Sequence, residues 1–231
     1  MLLAIDTSSL VLSCAVMDGD RLVAEWTVQR KLTHSEQLIP HMDALLREAG
    51  IEKKDITAVA CAAGPGSFTG LRIGLATAKV IARIWQVPLI AVDTLEGLAW
   101  NMAGADAFIL PLEDAQRGNV YAALYGAFEH MWLEAPEAAA PVDAVIGAAV
   151  RHGGTVIAVG ECADKYKEKL LAAGIRLAPP QNRCCRAGSI AAAAWAKWQR
   201  GETADPMTLV PNYIRRSEAE VLWEQRHPET K

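Results

Sequence analysis

The chain has 231 residues, of which 52% are hydrophobic and 22% are charged, and its formal charge is −4 at pH 7. This composition is typical of a folded globular protein and excludes a disordered, collagen-like or low-complexity chain. It also argues against a protein that binds nucleic acid unaided, because such binding draws on an excess of positive charge. No run approaches ~18 uncharged apolar residues and no basic signal region opens the chain, so we expect a cytoplasmic protein without membrane contact.

The first hundred residues predict three strands followed by alternating helices and strands. Short apolar or alternating runs between turn residues predict the strands, at 2–6, 10–17 and 21–29. A capping-box pattern at Thr33 predicts an amphipathic helix that ends near Gly50. The remaining predicted elements are a buried strand, a helix, a short strand and a helix, at 56–63, about 70–86, 89–92 and 94–102.

The second half repeats this order less clearly. It predicts four strands, at 107–112, 119–127, 130–133 and 155–160. It also predicts two helices, at about 162–173 and 187–200. An alanine-rich stretch at 135–149 is compatible with a helix or a linker. We therefore predict an α/β protein with two related subdomains of the βββαβαβα type, at 1–104 and 105–204, and a tail at 205–231.

Two motifs of the first half carry candidate chemistry. Asp6-Thr7-Ser8 places a carboxylate and two hydroxyls at one end of the sheet, although these residue types are also common in turns. Gly64-Pro65-Gly66-Ser67-Phe68-Thr69-Gly70 joins a strand to a helix, whose first amides favour an anion. This loop lacks both the Gly-Lys-Ser/Thr ending of a P-loop and the spacing of a dinucleotide fingerprint. An anion site and a tight structural turn both remain open interpretations.

Metal ligands and nucleophile motifs are sparse. His34 and His41 lie about two helical turns apart, too far to ligate one ion, and neither HExxH nor GxSxG occurs. The five cysteines form no CxxC pair, which argues against a disulfide framework or a zinc site. The charged loop at 113–118 is interpreted as solvated, with a functional loop as the alternative. We predict no metal site and no catalytic residue.

The segment Gly64-Pro65-Gly66-Ser67-Phe68-Thr69-Gly70-Leu71-Arg72-Ile73-Gly74 resembles the TsaB (YeaZ) family, bacterial partner proteins in threonylcarbamoyladenosine synthesis on tRNA. Further matches occur along the chain, at 4–8, 34–36, 92–95, 114–121 and 211–215. The resemblance implies an actin-like, sugar-kinase-like fold and a protein that is not itself the catalyst. The catalytic relatives of the TsaD type carry an HxxxH metal motif, and the corresponding region here, 94–104, contains no histidine.

The resemblance also implies partners and a ligand cleft. The partners are TsaD and the ATPase TsaE, with tRNA contacted only through their complex and a homodimer formed when TsaD is absent. No cofactor is expected, beyond weak or complex-dependent binding of an adenine nucleotide. The residues that would line the vestigial nucleotide or phosphate cleft are Asp6, Thr7, Ser8, Gly64, Gly66 and Ser67.

The second helix is apolar around most of its circumference, and apolar surface outside a core usually indicates a partner. We predict an interface for TsaD or a second copy on the first two helices, formed by Leu38, Met42, Leu71 and Leu75 with Arg72 and Lys79 at its rim. The alternative is that these apolar side chains face the sheet. The alternative function is an ATP-dependent small-molecule kinase of the same fold, although the sequence offers no acidic motif beyond Asp6 for Mg²⁺ and a base.

Overall fold

A computed structural model describes residues 1–30 and 33–214. Its first sheet has five strands in the order β3-β2-β1-β4-β5, namely β1 (Leu2–Asp6), β2 (Val11–Asp18), β3 (Arg21–Gln29), β4 (Ala58–Ala62) and β5 (Leu89–Val92). β1 pairs antiparallel with β2 and parallel with β4, which in turn pairs parallel with β5. An antiparallel meander is thus extended by two parallel strands.

The second sheet repeats this order. Its strands are β6 (Ala107–Asp114), β7 (Asn119–Ala127), β8 (Met131–Pro141), β9 (Val156–Val159) and β10 (Arg176–Leu177), arranged β10-β9-β6-β7-β8. β6 pairs antiparallel with β7 and parallel with β9, as β1 does with β2 and β4. The predicted α/β class with two related βββαβαβα-type halves is therefore confirmed.

Seven α-helices connect these strands within the described residues: α1 (His34–Glu48), α2 (Phe68–Trp85), α3 (Thr94–Trp100), α4 (Val142–His152), α5 (Glu161–Lys165), α6 (Lys167–Ala172) and α7 (Ala187–Gln199). The helix expected at about 162–173 is split at Tyr166 into α5 and α6. The alanine-rich stretch is neither wholly helix nor linker. Its first part extends β8 along β7, and α4 begins immediately after Pro141, whose fixed φ suits the residue before a helix.

One hydrophobic core joins the two halves. It contains side chains of the first sheet, such as Val92, of the second, such as Ile109, and of α7, such as Ile190. α7 lies within the predicted 105–204 subdomain, but it packs against β1 and β2 of the first sheet. The predicted subdomain boundaries stay a prediction. α1 and α2 cover the opposite face of the first sheet with a second cluster.

Candidate functional site

A cleft of about 1180 Å³ lies between the two halves. Parallel strands bring their carboxyl ends to one edge of a sheet, and ligands of open α/β sheets bind at that edge. Ser8 follows β1 and Gly66 follows β4 on one side, while Glu113 near the end of β6 and Glu161 after β9 lie on the other. The topology therefore brings one end of each predicted first-half motif, Ser8 and the loop from Pro65 to Gly70, to the same cleft.

The glycine-rich loop packs directly onto the turn after β1. The Ser67 amide donates to the Ser8 carbonyl at 2.7 Å, and the Thr7 hydroxyl donates to the Gly70 carbonyl at 2.7 Å. A Cβ at Gly66 would clash with the Ser8 carbonyl, and a Cβ at Gly70 with that of Thr7. The close backbone approach accounts for both glycines without a ligand.

The α2 N-terminus is capped by its own chain. The Ser67 hydroxyl accepts a hydrogen bond from the Gly70 amide at 3.2 Å, as a serine N-cap does. The carbonyl of Gly64, the first residue of the loop, accepts from the Thr94 amide at 2.7 Å. These contacts bond two amides of the loop, those of Ser67 and Gly70, and support a tight turn. Gly66, Phe68 and Thr69 also line the cleft, so an anion site at the N-terminus of α2 stays an open interpretation.

Of the six predicted cleft residues, Ser8, Gly66 and Ser67 line the cleft. Asp6 and Thr7 are buried, and neither they nor Gly64 are among its lining residues. Asp6 is fully buried and accepts from the Ser8 amide through Oδ1 at 2.9 Å. In the described part of the chain, the buried oxygens without a hydrogen-bond partner are Asp6 Oδ2, Ser8 Oγ and Thr94 Oγ1. The buried Cys185 thiol interacts with the Asp6 and Ser8 side chains, so the Asp6 and Ser8 oxygens face a weak hydrogen-bonding group of the same chain.

The opposite wall of the cleft is acidic, and it includes residues of the charged segment 113–118, which the sequence analysis interpreted as a solvated loop. β6 extends to Asp114 rather than ending near residue 112, so Glu113 lies inside the sheet and is 4% exposed. Burial and the neighbouring Glu161 carboxylate raise the pKa of Glu113 well above its usual value. Asp114 pairs with Lys165 at 3.4 Å. The apolar run that precedes Glu113 was the sequence signal that could have extended the predicted strand to Asp114.

A third cluster surrounds Asn212, which lines the cleft. The Asn212 amide nitrogen donates to the Ala63 carbonyl at 2.7 Å, and its side chain donates to Glu137 Oε2 at 3.0 Å. Asp93 caps α3 by accepting from the Leu95 amide at 2.7 Å. Burial and the adjacent Glu137 raise the pKa of Asp93 to about 9. The sequence carried no signal for this cluster, because its members are remote along the chain.

The predicted interface needs a correction. The four apolar side chains chosen for it lie in the protein interior and are 1–6% exposed, namely Leu38, Met42, Leu71 and Leu75. The choice of these residues was wrong, because the apolar stripe of each helix faces the sheet, as the alternative held. Other apolar side chains of α1 and α2 are exposed instead: Ile39 (48%), Phe68 (39%), Val80 (55%) and Ile84 (65%).

The two predicted rim cations contact the C-terminal segment of residues 205–214. Arg72 Nε donates to the Tyr213 hydroxyl at 3.0 Å, and its guanidinium lies 3.9 Å above the Phe68 ring. Lys79 Nζ donates to the Leu209 carbonyl at 2.9 Å. The segment therefore runs along α2 to the cleft. The rest of the predicted tail, from Arg215, lies outside the described residues.

The described residues hold no group of three or more histidine, cysteine, aspartate or glutamate side chains placed to bind a metal ion. None of their helices combines the length and apolar character that crossing a bilayer requires.

Comparison with known proteins identifies the family. The family model of TsaD, tRNA N6-adenosine threonylcarbamoyltransferase, matches residues 28–193. The tRNA threonylcarbamoyladenosine biosynthesis protein TsaB of Bacillus subtilis is 32% identical over 227 residues, which cover 96% of this chain and 97% of that protein. The chain belongs to the TsaB (YeaZ) family. The predicted resemblance is thereby confirmed along nearly the whole chain.

Two other TsaB-family proteins agree with this assignment. TsaB of Escherichia coli is 35% identical over 127 residues, 54% of each chain. The solved structure of YeaZ from Pseudomonas aeruginosa has a TM-score of 0.77 at 26% identity and covers 92% of this chain and 98% of that one. The fold is thus the actin-like, sugar-kinase-like fold of the TsaB family. These relatives do not favour the alternative of a small-molecule kinase.

Proposed function

We propose that this chain is the non-catalytic partner of TsaD in the complex that transfers threonylcarbamoyl to the adenosine next to the tRNA anticodon. The observation that carries the proposal is full-length similarity to a protein named for threonylcarbamoyladenosine biosynthesis, TsaB of B. subtilis. The lack of histidine at 94–104, where catalytic relatives carry metal ligands, supports a non-catalytic role.

The contact with TsaD, in this proposal, uses the outer face of α2. Val80 and Ile84 lie one helical turn apart on that face and are more than half exposed. Ala76 continues the stripe by one further turn and is also exposed. Ile39 of α1 adds apolar surface. Apolar side chains that align along an exposed helix face favour protein contact over solvent.

The same face would hold a second copy when TsaD is absent, so homodimer and TsaD complex exclude each other. TsaE joins the assembled pair, and tRNA is contacted through the complex rather than by this chain alone. An adenine nucleotide binds weakly or only within the complex. The acidic second-half wall of the cleft supports weak binding by the isolated chain, because phosphates and carboxylates repel each other.

Co-elution with TsaD of the same organism on size exclusion tests the proposal, with and without ATP and TsaE, followed by a tRNA threonylcarbamoylation assay. We expect a stoichiometric complex that gains activity only when this chain is added. A double variant, Val80→Asp with Ile84→Asp, should abolish the complex. Leu171→Asp is the matched control, because Leu171 is 50% exposed on α6, remote from that face. Unchanged activity without this chain would refute the proposal.

A further inference from the structure

The C-terminal segment of residues 205–214 leads the chain from α2 into the cleft. Lys79 Nζ donates to the Leu209 carbonyl at 2.9 Å and so holds the segment against the helix. Tyr213 and Ile214 both line the cleft, and Ile214 is partly buried against the core that joins the two halves. The described part of the chain therefore ends at the wall of the cleft.

The sequence that follows Ile214, residues 215–231, is called the C-terminal extension below. It opens with two arginines, Arg215 and Arg216, and it carries three consecutive apolar residues, Val221-Leu222-Trp223, among mainly polar ones. Because successive Cα atoms lie 3.8 Å apart, the Cα atoms of both arginines lie within about 7.6 Å of that of Ile214. The covalent chain therefore tethers two cations next to the cleft.

The two walls of the cleft differ in chemistry, and each matches one part of this extension. On the first-half wall, the side chains of Leu10 and Phe68 are 57% and 39% exposed. On the second-half wall, Asp114 and Glu161 supply carboxylates. Among the described residues that line the cleft, Arg72 is the only lysine or arginine. Apolar side chains therefore complement the first wall, and arginine complements the second.

Size and attachment favour the extension of the same chain as the occupant. The cleft volume of about 1180 Å³ exceeds the roughly 300–1,000 Å³ of pockets for small molecules, so several residues of peptide fit. A segment attached at the cleft has an effective concentration in the millimolar range, so weak contacts are sufficient to hold it. A second copy or a separate protein must also offset the loss of translational and rotational freedom.

We propose that the C-terminal extension docks in the cleft of its own chain. Its two arginines contact the acidic second-half wall, and Val221-Leu222-Trp223 cover the exposed apolar side chains of the first-half wall. The extension then occupies the volume that another ligand of the cleft would need. This docking is a property of the single chain, and it does not depend on the proposed contact with TsaD, which uses the outer face of α2.

Electron paramagnetic resonance of the full chain tests the docking. A spin label on Ala219→Cys reports the mobility of the extension, in a Cys184→Ser background in which the remaining native cysteines are buried. We expect a motionally restricted spectrum. The double variant Arg215→Glu with Arg216→Glu should remove the restricted component, because it places like charges against the acidic wall.

The matched control is Arg226→Glu with Lys231→Glu, which changes the charge of the extension equally but outside the arginine pair. It should leave the spectrum restricted. A second label then locates the extension by dipolar distance measurement from Ala219→Cys. Thr69→Cys is exposed, lines the cleft and should give a short distance. Ile84→Cys is exposed about 22 Å further along the same helix and should give a longer one.

Three results would overturn the proposal. The first is a mobile label on the otherwise unchanged extension, or a label closer to residue 84 than to residue 69. The second is a restricted spectrum that the arginine variant leaves unchanged. The third is a short distance that disappears when labelled protein is diluted with unlabelled chain, because the extension of a second copy would then fill the cleft. If the arginine variant fails to fold by circular dichroism, Asp114→Asn with Glu161→Gln tests the same contact from the wall and should also mobilise the label.

Discussion

Asn212 donates its side-chain amide to Glu137 Oε2 at 3.0 Å, which ties the C-terminal segment to β8 of the second sheet. The same nitrogen lies 3.5 Å from Asp93 Oδ2, at the start of α3. Asn212, β8 and the start of α3, which are remote in sequence, therefore contact one another through the carboxyl groups of Glu137 and Asp93. This cluster gives the protein a proton-dependent contact between its two halves.

Asp93→Asn should change how stability depends on pH. The pKa of Asp93 is raised from 3.8 to about 9, so between these values the folded chain holds a proton that the unfolded chain has lost. The contribution of the Asp93 carboxyl group to folding stability is therefore complete below pH 3.8 and is lost as the pH rises to about 9. Asparagine caps a helix as well as aspartate does and does not titrate.

Urea unfolding of wild type and Asp93→Asn at about pH 5 and about pH 9 measures this difference. We expect the variant to gain free energy of unfolding relative to the wild type as the pH rises. Parallel pH profiles for the two proteins would show that Asp93 is not protonated in the folded state. Asp143→Asn is a control, because Asp143 is exposed on α4 and pairs with Lys169 at the surface.

Gly70→Ala should destabilise the protein although Gly70 lies in a helix. Alanine favours a helix by about 1 kcal/mol over glycine, but a Cβ here meets the Thr7 carbonyl of a rigid turn. We expect a net loss of about 1–3 kcal/mol in thermal or urea unfolding, typical of an overpacked interior. Gly147→Ala, in α4, meets only the flexible end of Arg151 and should be neutral or stabilising. Equal effects at both sites would contradict the close approach of loop and turn.

Lys79→Met should loosen the C-terminal segment while α2 stays folded. Methionine retains most of the apolar stem but removes the hydrogen bond to the Leu209 carbonyl, worth about 1 kcal/mol. Hydrogen exchange with mass spectrometry should show faster exchange in residues 205–214 and unchanged exchange in β1 and β4. Lys167→Met, at an exposed position of α6, provides the comparison. Unchanged protection of the segment would mean that Lys79 does not hold it.

Thiol labelling of the native protein should single out Cys184. Burial raises the pKa of Cys14, Cys61 and Cys162 to about 12, and Cys185 is 1% exposed, so these four react slowly. Cys184 is partly exposed. Intact-mass analysis after iodoacetamide at neutral pH should show one modification in the folded chain and five in urea. Rapid labelling of a second cysteine in the folded state would contradict the burial.

The sequence by itself determined the order of elements and the family. Periodicity of two and 3.6 residues and the turn residues specify βββαβαβα in the first half, because these signals are local. The glycines at 66 and 70 indicate a close backbone approach, which is also a local signal. They do not indicate which other segment of the chain lies against them. The segment from Gly64 to Gly74 was sufficient to indicate the TsaB family.

Only the tertiary structure decided which face of each helix is covered and which charges meet. From the sequence, the apolar stripes of α1 and α2 could line either an interface or a core. The first sheet lies beneath both helices, so these side chains are part of the core, namely Leu38, Met42, Leu71 and Leu75. The packing places Asp6 of β1 and Glu161 of α5 next to Glu113. It also places Asp93 of the first half next to Glu137 of the second. Burial and electrostatic contact between remote segments depend on how the layers pack, and local sequence patterns do not encode that arrangement.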